Sequence, residues 1–262
     1  MSPVASLLTG HFAGKLIDRI ATSFRLNVIE RWSKHRGQQF FDQFCHEVEL
    51  ELAGESSDKL ESLLSKMLED EHTTELLFDA YRRVSLSRSK TIGPRVIGVL
   101  SARLAIQKRE LTDVEETILD AAEQLYDDEL IKFALFCNEH QQRAANEKDK
   151  DVTIGDDGFL RIKWAGEQID SNWDHEFNLS LQSLDLNDCY GSWAMKMQSL
   201  GIIRTDVTEE KRTYKEDSER HIDQDGSVRE ISWWTFTSDK YFDFAEIINR
   251  VKPKQELSKT NT

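Results

Sequence analysis

Two short clusters combine side chains that bind metals or transfer protons. His72 and Glu75 are one turn apart in a predicted helix, and Asp174, His175 and Glu176 are consecutive. A metal site needs three or four ligands in a fixed geometry, and neither cluster has a second matching group in the sequence. We therefore interpret the first cluster as an ordinary helix start and the second as a solvated loop. No metal site is predicted.

The short motifs that mark common catalytic sites are missing from the sequence. There is no phosphate-binding loop, no Gly-x-Gly-x-x-Gly, no Gly-x-Ser-x-Gly and no His-Glu-x-x-His. Cys45, Cys137 and Cys189 are odd in number and far apart, which is typical of free thiols in a reducing compartment. We therefore predict a cytoplasmic protein that is not an enzyme and has no cofactor.

A cluster of cations in the first half of the chain is the clearest chemical signal. It comprises Arg82, Arg83, Arg88, Lys90, Arg95, Arg103, Lys108 and Arg109. Ser87, Ser89 and Thr91 add hydroxyl groups just before a predicted helix N-terminus, where free backbone amides attract anions. One interpretation is a phosphate or nucleic-acid contact, with the candidate residues Arg83, Arg88, Lys90 and Arg95. The other, which the opposite charge of the two blocks favours, is internal pairing with acidic residues of 111–129.

Net charge argues against polyanionic partners. The chain has 34 Lys and Arg against 48 Asp and Glu, a formal net charge of −14. The excess acid lies in the middle and at the end, because 111–151 carries 4 cations and 12 anions, and the chain from Val152 onward carries 14 and 21. Such a balance disfavours nucleic acid or an anionic membrane, although a local patch can still bind either. No apolar run is long enough to span a membrane, and the N-terminus has no signal-peptide pattern.

The first half of the chain has the hydrophobic periodicity of a helical bundle. Apolar stripes at helical spacing recur from Leu16 to Val28, from Phe40 to Val48 and from Leu60 to Leu68, and continue to residue 135. The helix that Pro94 opens is apolar on most of its surface, which is typical of a central buried helix. Thr112 and Glu115 form a predicted capping box.

The periodicity changes after residue 148. Residues 152–164 have the pattern of a β-hairpin with Asp157-Gly158 as its turn. A helix is predicted from Cys189 to Ser199, capped by Asn187 or Asp188 and ended by Gly201.

The remaining C-terminal pattern resembles a wing. A strand begins at Ile202, a polar loop runs from Thr205 to Arg229 and ends in the turn Asp225-Gly226, and 230–236 forms a second strand. Thr237 or Ser238 then caps a last helix.

These patterns predict an α+β, mainly α fold. It consists of a helical bundle at 1–148, then a small winged-helix-like module with short antiparallel strands at 149–251, then a disordered tail at 252–262.

The module and the domain order resemble the Abi-alpha-like prokaryotic proteins of abortive infection. The resemblance rests on Leu200, Gly201, Ile202, Ile203, Phe236 and Thr237. It implies a prokaryotic or phage-encoded protein acting in phage defence or phage–host conflict, and it supplies no catalytic residues. Phe236 stands where the family usually has Leu, and Lys240 where it has Gly.

We expect the module to bind a partner protein. The candidate contact residues are Trp193, Lys196, Arg204, Arg212, Trp233 and Trp234. The alternative is a winged-helix DNA-binding regulator that uses Lys196 and the cations of the wing, but phosphate contact needs a more basic surface. A homo-oligomer is also compatible with the sequence.

Overall fold

The described part of the chain forms two compact units. The computed structural model describes residues 30–51, 69–146, 150–170, 185–215 and 225–253. One unit, the helical unit, contains the described residues up to Leu135 and from Asp243 onward, and the sheet unit runs from Phe136 to Phe242. The predicted stripes at 16–28 and 60–68, the cluster at 174–176 and the tail after Pro253 lie outside the described residues.

The described elements confirm a mainly helical α+β fold. The helices are α1 (Glu30–Glu51), α2 (Glu71–Leu86), α3 (Ile92–Gln107), α4 (Asp113–Gln124), α5 (Asp127–Ala144), α6 (Leu186–Tyr190), α7 (Ser192–Ser199) and α8 (Phe242–Val251). The strands are β1 (Val152–Ile154), β2 (Phe159–Asp170), β3 (Ile203–Lys215) and β4 (Asp225–Ser238).

Helix α3 is the centre of the helical unit. It is buried along almost its whole length, as its apolar sequence predicts, and Pro94 lies in its first turn. Gly98 faces α1 so closely that a Cβ there would lie 2.6 Å from the Phe40 carbonyl oxygen. The two backbones can approach only because residue 98 has no side chain.

Helix α4 begins with the predicted capping box. The Thr112 hydroxyl accepts a hydrogen bond from the Glu115 amide, and the Glu115 carboxylate accepts one from the Thr112 amide. Arg109 donates two further hydrogen bonds to that carboxylate, at 2.6 and 2.7 Å. These Arg109 bonds are the main reason that the pKa of Glu115 is held at about 2.

The sheet is antiparallel, with strand order β1-β2-β4-β3. The hairpin of β1 and β2 forms as predicted, with Val152 opposite Ile162. The predicted polar loop from Thr205 to Arg229 is wrong over most of its length, because β3 continues to Lys215 and β4 begins at Asp225. Charged residues occupy much of this stretch, with four in a row at 209–212, and a strand that is polar on both faces gives no apolar signal.

The predicted helix from Cys189 to Ser199 is broken in two. Gly191 has a φ of 91°, so α6 ends at Tyr190 and α7 starts at Ser192. Asp185 caps α6, in place of the predicted Asn187 or Asp188. Gly201 ends α7 in the left-handed region as predicted, with a φ of 74°.

The predicted boundary near residue 148 does not coincide with the division between the units. Helix α5 continues past Leu135, so its last turns belong to the sheet unit. Helix α8 was assigned to the C-terminal module, but from Asp243 it belongs to the helical unit. Its residues Phe244, Ile247 and Ile248 are buried, and the Phe244 ring packs against Phe133 at 5.4 Å. Sequence periodicity locates the helix but does not reveal which core it joins.

We predict that Glu115→Gln destabilises the helical unit at neutral pH by about 1–2 kcal/mol, a value reduced for partial solvent screening. Since folding lowers the pKa of Glu115 from 4.5 to about 2, its contribution is complete above pH 4.5 and disappears as the pH falls toward 2. Urea unfolding at several pH values measures this difference. Glu110→Gln is the matched control, and an equal loss in both variants at pH 7 would contradict the assignment.

Candidate functional site

The cation cluster of the helical unit is largely neutralised within the chain. The Arg83 guanidinium, 14% exposed, contacts Asp120 at 2.5 Å and lies 3.8 Å from Glu116 and Glu123. Arg109 pairs with Glu115, as described above. These contacts favour internal pairing of the cations with residues 111–129.

Two further cations of the cluster contact other parts of the same unit. Arg103 pairs with Asp243 at 2.7 Å. Arg95 donates hydrogen bonds to Gln39 Oε1 at 2.7 Å and to the Val251 carbonyl oxygen at 2.8 Å. The side chain of Arg95 therefore connects α1, α3 and α8.

The predicted anion site at the start of α3 holds a carboxylate of the protein itself. Asp127 accepts hydrogen bonds from the backbone amides of Lys90 and Thr91, both at 3.2 Å, and of Ile92 at 2.8 Å. The Ser89 hydroxyl donates a further, short bond to it. Because these amides are already used, a phosphate would have to displace Asp127.

Arg88 and Lys90 complete the predicted anion-binding set. Both are exposed, and neither forms a salt bridge with the described part of the chain. The backbone amides at the start of α3 already donate hydrogen bonds to Asp127. Arg88 and Lys90 therefore cannot combine with these amides to bind an external anion.

A cavity of about 620 Å³ lies beside α2 in the helical unit. His72 and Glu75 line it, together with the paired Arg83 and Arg109. Among the described residues, no group of three potential metal ligands comes together here or elsewhere. His72 and Glu75 thus line the same cavity as two arginine side chains. Positive charges so close by disfavour the binding of a metal ion.

The cysteines are free thiols with raised pKa values. Burial raises the pKa of Cys45 to about 12, with Asp42 and Glu49 contributing, and it also raises the pKa of Cys137. The thiolate is the reactive form, so both thiols remain protonated and unreactive at neutral pH.

One face of the sheet is covered by helices of its own unit. Trp193 is only 4% exposed, and its ring lies 5.7 Å from Phe136 and 5.9 Å from Tyr190. Trp164 stacks edge-on against Tyr190 at 4.9 Å and donates a hydrogen bond from Nε1 to the Thr235 hydroxyl. Trp193, a predicted contact residue, is thus part of the core of the sheet unit. Burying this large aromatic side chain stabilises the unit.

Trp233 and Trp234 lie on opposite faces of the sheet. Side chains alternate along a strand, so Trp233 shares its face with Ile231 and Thr235, both buried. Trp193, Trp233 and Trp234, three of the candidate contact residues, therefore do not share one face.

The opposite side, which we call the outer face, has two aromatic rings at its centre. Trp234 and Phe236 are next to each other on β4 with ring centroids 6.4 Å apart. Arg161 and Lys163 of β2 lie opposite them on one side. On the other side, Arg204 of β3 lies opposite Phe236 and Asp206 lies opposite Trp234. The Lys163 ammonium is 6.0 Å from the Trp234 ring centroid, within reach of a cation–π interaction.

Sequence reasoning identified only part of the outer face. Arg204 and Trp234 were predicted, whereas Arg161, Lys163 and Phe236 were missed as contact residues. Their signal is the period-two spacing in β2 and β4, which shows that residues share a face but not which face a helix covers.

The other predicted contact residues are elsewhere in the sheet unit. Lys196 is half-buried on α7, near the exposed Met195. Arg212 of β3 lies opposite Val228 of β4, and its side chain is outside the described part of the structure.

Comparison with family models, with curated proteins and with solved structures found no match. Of the helices in the described part of the chain, none has the length and apolar character needed to cross a bilayer.

We predict that Asp127→Ala destabilises the helical unit by about 1–2 kcal/mol, because three backbone amides lose their acceptor. Inorganic phosphate should then raise the melting temperature of the variant, but not that of the wild type, at matched ionic strength. Asp128→Ala is the control, since that exposed side chain pairs with Lys132 in the next turn and does not cap α3. A wild-type protein that phosphate stabilises as much as the variant would show that Asp127 does not block the site.

Proposed function

We propose that this chain is a non-enzymatic interaction protein that binds a partner protein through the outer face of its sheet unit. The observation that supports the proposal is the pair Trp234 and Phe236 on the central strand, with cations on both neighbouring strands. Aromatic residues and arginine supply most of the binding energy in protein interfaces.

The outer face is held in place before binding. Trp234 donates a hydrogen bond from Nε1 to the Thr208 hydroxyl on β3 at 3.0 Å. Arg161 is oriented by Asp157, four residues earlier in the hairpin. Side chains that are already ordered lose less entropy when a partner binds, and this favours affinity.

A protein suits this face better than duplex DNA. Helix α7 would have to act as the recognition helix, but it buries Trp193, Ala194 and Met197 and has one cation, Lys196. From Val152 onward the chain has more acidic than basic residues, 21 against 14. Duplex binding depends on neutralising phosphates, so a DNA-binding regulator remains the less favoured alternative.

The biological setting is part of the proposal. A cytoplasmic protein of prokaryotic or phage origin, acting in phage defence or phage–host conflict, is proposed from the family resemblance and the free cysteines. The outer face would then recognise a host or phage protein.

We predict that Trp234→Ala and Arg204→Glu each abolish capture of a partner that the wild-type protein recovers quantitatively from lysate of its source organism. The reason is that both remove contacts at the centre of the outer face. Met195→Ala is the matched control, because Met195 is 43% exposed in the same unit but is not on that face. Circular dichroism checks that each variant folds.

A partner retained equally by all three variants would contradict the outer face as the site. Fluorescence anisotropy with duplex DNA at low salt tests the alternative. Binding that falls steeply with salt concentration, and that Lys196→Glu abolishes, would favour the DNA-binding regulator.

A further inference from the structure

The cavity beside α2 is a groove that follows this helix. Its lining residues on α2 recur every three or four positions, so they form one face of the helix; they include His72, Glu75, Asp79 and Arg83. These positions extend for about 16 Å, or three helical turns. The lining also includes residues of α3, of α4 and of the connection between these helices at 109–111. We call this cavity the α2 groove.

The α2 groove has both buried and exposed apolar residues. Ala80 and Leu119 line it and are buried, whereas Phe78 and Leu111 line it with 42% and 37% of their surfaces exposed. Its volume of about 620 Å³ is within the range of protein binding pockets. Removing exposed leucine and phenylalanine side chains from water is favourable. The groove is therefore suited to apolar side chains of a partner.

The cations near the α2 groove already have acidic partners. Arg83 faces three carboxylates of α4, at distances of 2.5 to 3.8 Å. Arg109 pairs with Glu115 at 2.6 Å, and Lys108 interacts electrostatically with Asp70. Because these positive charges are matched by negative ones, they do not create a site for an acidic partner.

The exposed carboxylates of the groove are less well matched. Glu75 and Glu110 line it, and neither side chain forms an ion pair with the described part of the chain. Asp79 pairs with Arg82 at 3.3 Å, but both side chains are more than half exposed, so this pair is weak. Carboxylates thus outnumber cations around the groove, and the complementary partner is basic.

The elements around the groove determine the form of the partner. Helices α2 and α4 satisfy their backbone groups internally, so they offer no free strand edge to an extended peptide. A segment bound between them has to satisfy its own backbone groups, which an α-helix does. A helix of about three turns also matches the length of the groove and presents apolar side chains at the spacing i, i+3, i+4 and i+7.

We propose that the α2 groove binds a basic amphipathic helix of a partner protein. The apolar stripe of that helix contacts Phe78 and Leu111, and its lysine or arginine side chains pair with Glu75 and Glu110. This site is in the helical unit, so it is separate from the outer face of the sheet unit and does not depend on the proposed function.

One part of the groove is ordered before a partner binds. The hydrogen bonds from Arg109 to Glu115, together with the capping box at Thr112, hold the connection at 109–111 in place. Leu111 is in this connection and therefore loses less conformational entropy on binding than a residue of an unrestrained loop.

Two fluorescently labelled peptides test the proposal on the wild-type protein. Both are helical and about 18 residues long, with leucine at the stripe positions; one has lysine at the other positions and the second has glutamate. We predict saturable one-to-one binding of the lysine peptide, and roughly tenfold weaker binding of the glutamate peptide, because only the former complements the carboxylates of the groove. Fluorescence anisotropy at about 0.15 M salt measures both affinities.

Charge reversal then locates the site. Glu75→Lys with Glu110→Lys should weaken binding of the lysine peptide roughly tenfold and reverse the preference between the two peptides. Asp156→Lys with Asp188→Lys is the matched control, because it makes the same change in net charge at exposed positions of the sheet unit. Leu111→Ser should weaken binding without changing the preference. Circular dichroism checks that each variant folds.

Three results would overturn the proposal: a wild-type protein that binds the two peptides equally, one that binds neither, or two double variants that weaken binding to the same extent. The last result would show that binding follows net charge alone. A wild-type protein that binds neither peptide but forms dimers, which Leu111→Ser dissociates, would assign the groove to a second copy of the chain. Trp234→Ala should bind the lysine peptide as the wild type does, so a failure of the groove leaves the proposed function standing.

Discussion

The sheet unit depends on one strand, β4, that pairs on both sides. It is opposite β2 from Phe159 to Asp170 and opposite β3 from Ile203 to Lys215. Because its side chains alternate, it separates a helix-covered face that contains Thr235 and Thr237 from an outer face. Thr237 also donates a hydrogen bond to the Ile202 carbonyl oxygen and so fixes the start of β3 directly after α7.

The same alternation divides the aromatic residues between the two faces of the sheet. Trp164, Tyr190 and Trp193 pack together with Phe136 and stabilise the unit. Trp234 and Phe236 lie on the other face, opposite Arg161 and Lys163 of β2 and opposite Arg204 and Asp206 of β3. Large aromatic side chains thus lie on both faces of one small sheet, and their positions on the strands decide which of them join the core of the unit.

The helical unit shows how an apparent binding site can be an internal contact. Asp127 begins α5 and at the same time caps α3, because its carboxylate accepts hydrogen bonds from the backbone amides of Lys90, Thr91 and Ile92 at the start of α3. Arg83 and Arg109 are paired with acidic residues of α4 in a comparable way. A helix N-terminus attracts any anion, and here the nearest carboxylate belongs to the same chain.

Much of the local structure follows from the sequence. The capping box at Thr112, the turn at Gly158, the cap at Gly201 and the buried α3 depend on contacts between residues close in the chain, or on an apolar surface too large to leave in water. The break at Gly191 was missed because a glycine inside a helical pattern specifies no single conformation. The extensions of β3 and β4 were missed because their polar residues have no preference for either face.

By itself, the sequence determined the mainly helical class, the helix starts and the acidic character of the chain. Only the tertiary structure decided that Asp127 fills the anion site, that Trp193 is buried and that Arg161, Lys163 and Arg204 lie opposite Phe236 or Trp234 on one face of the sheet. These outcomes depend on contacts between residues far apart in the chain, and hydrophobic periodicity does not encode the distances between such residues.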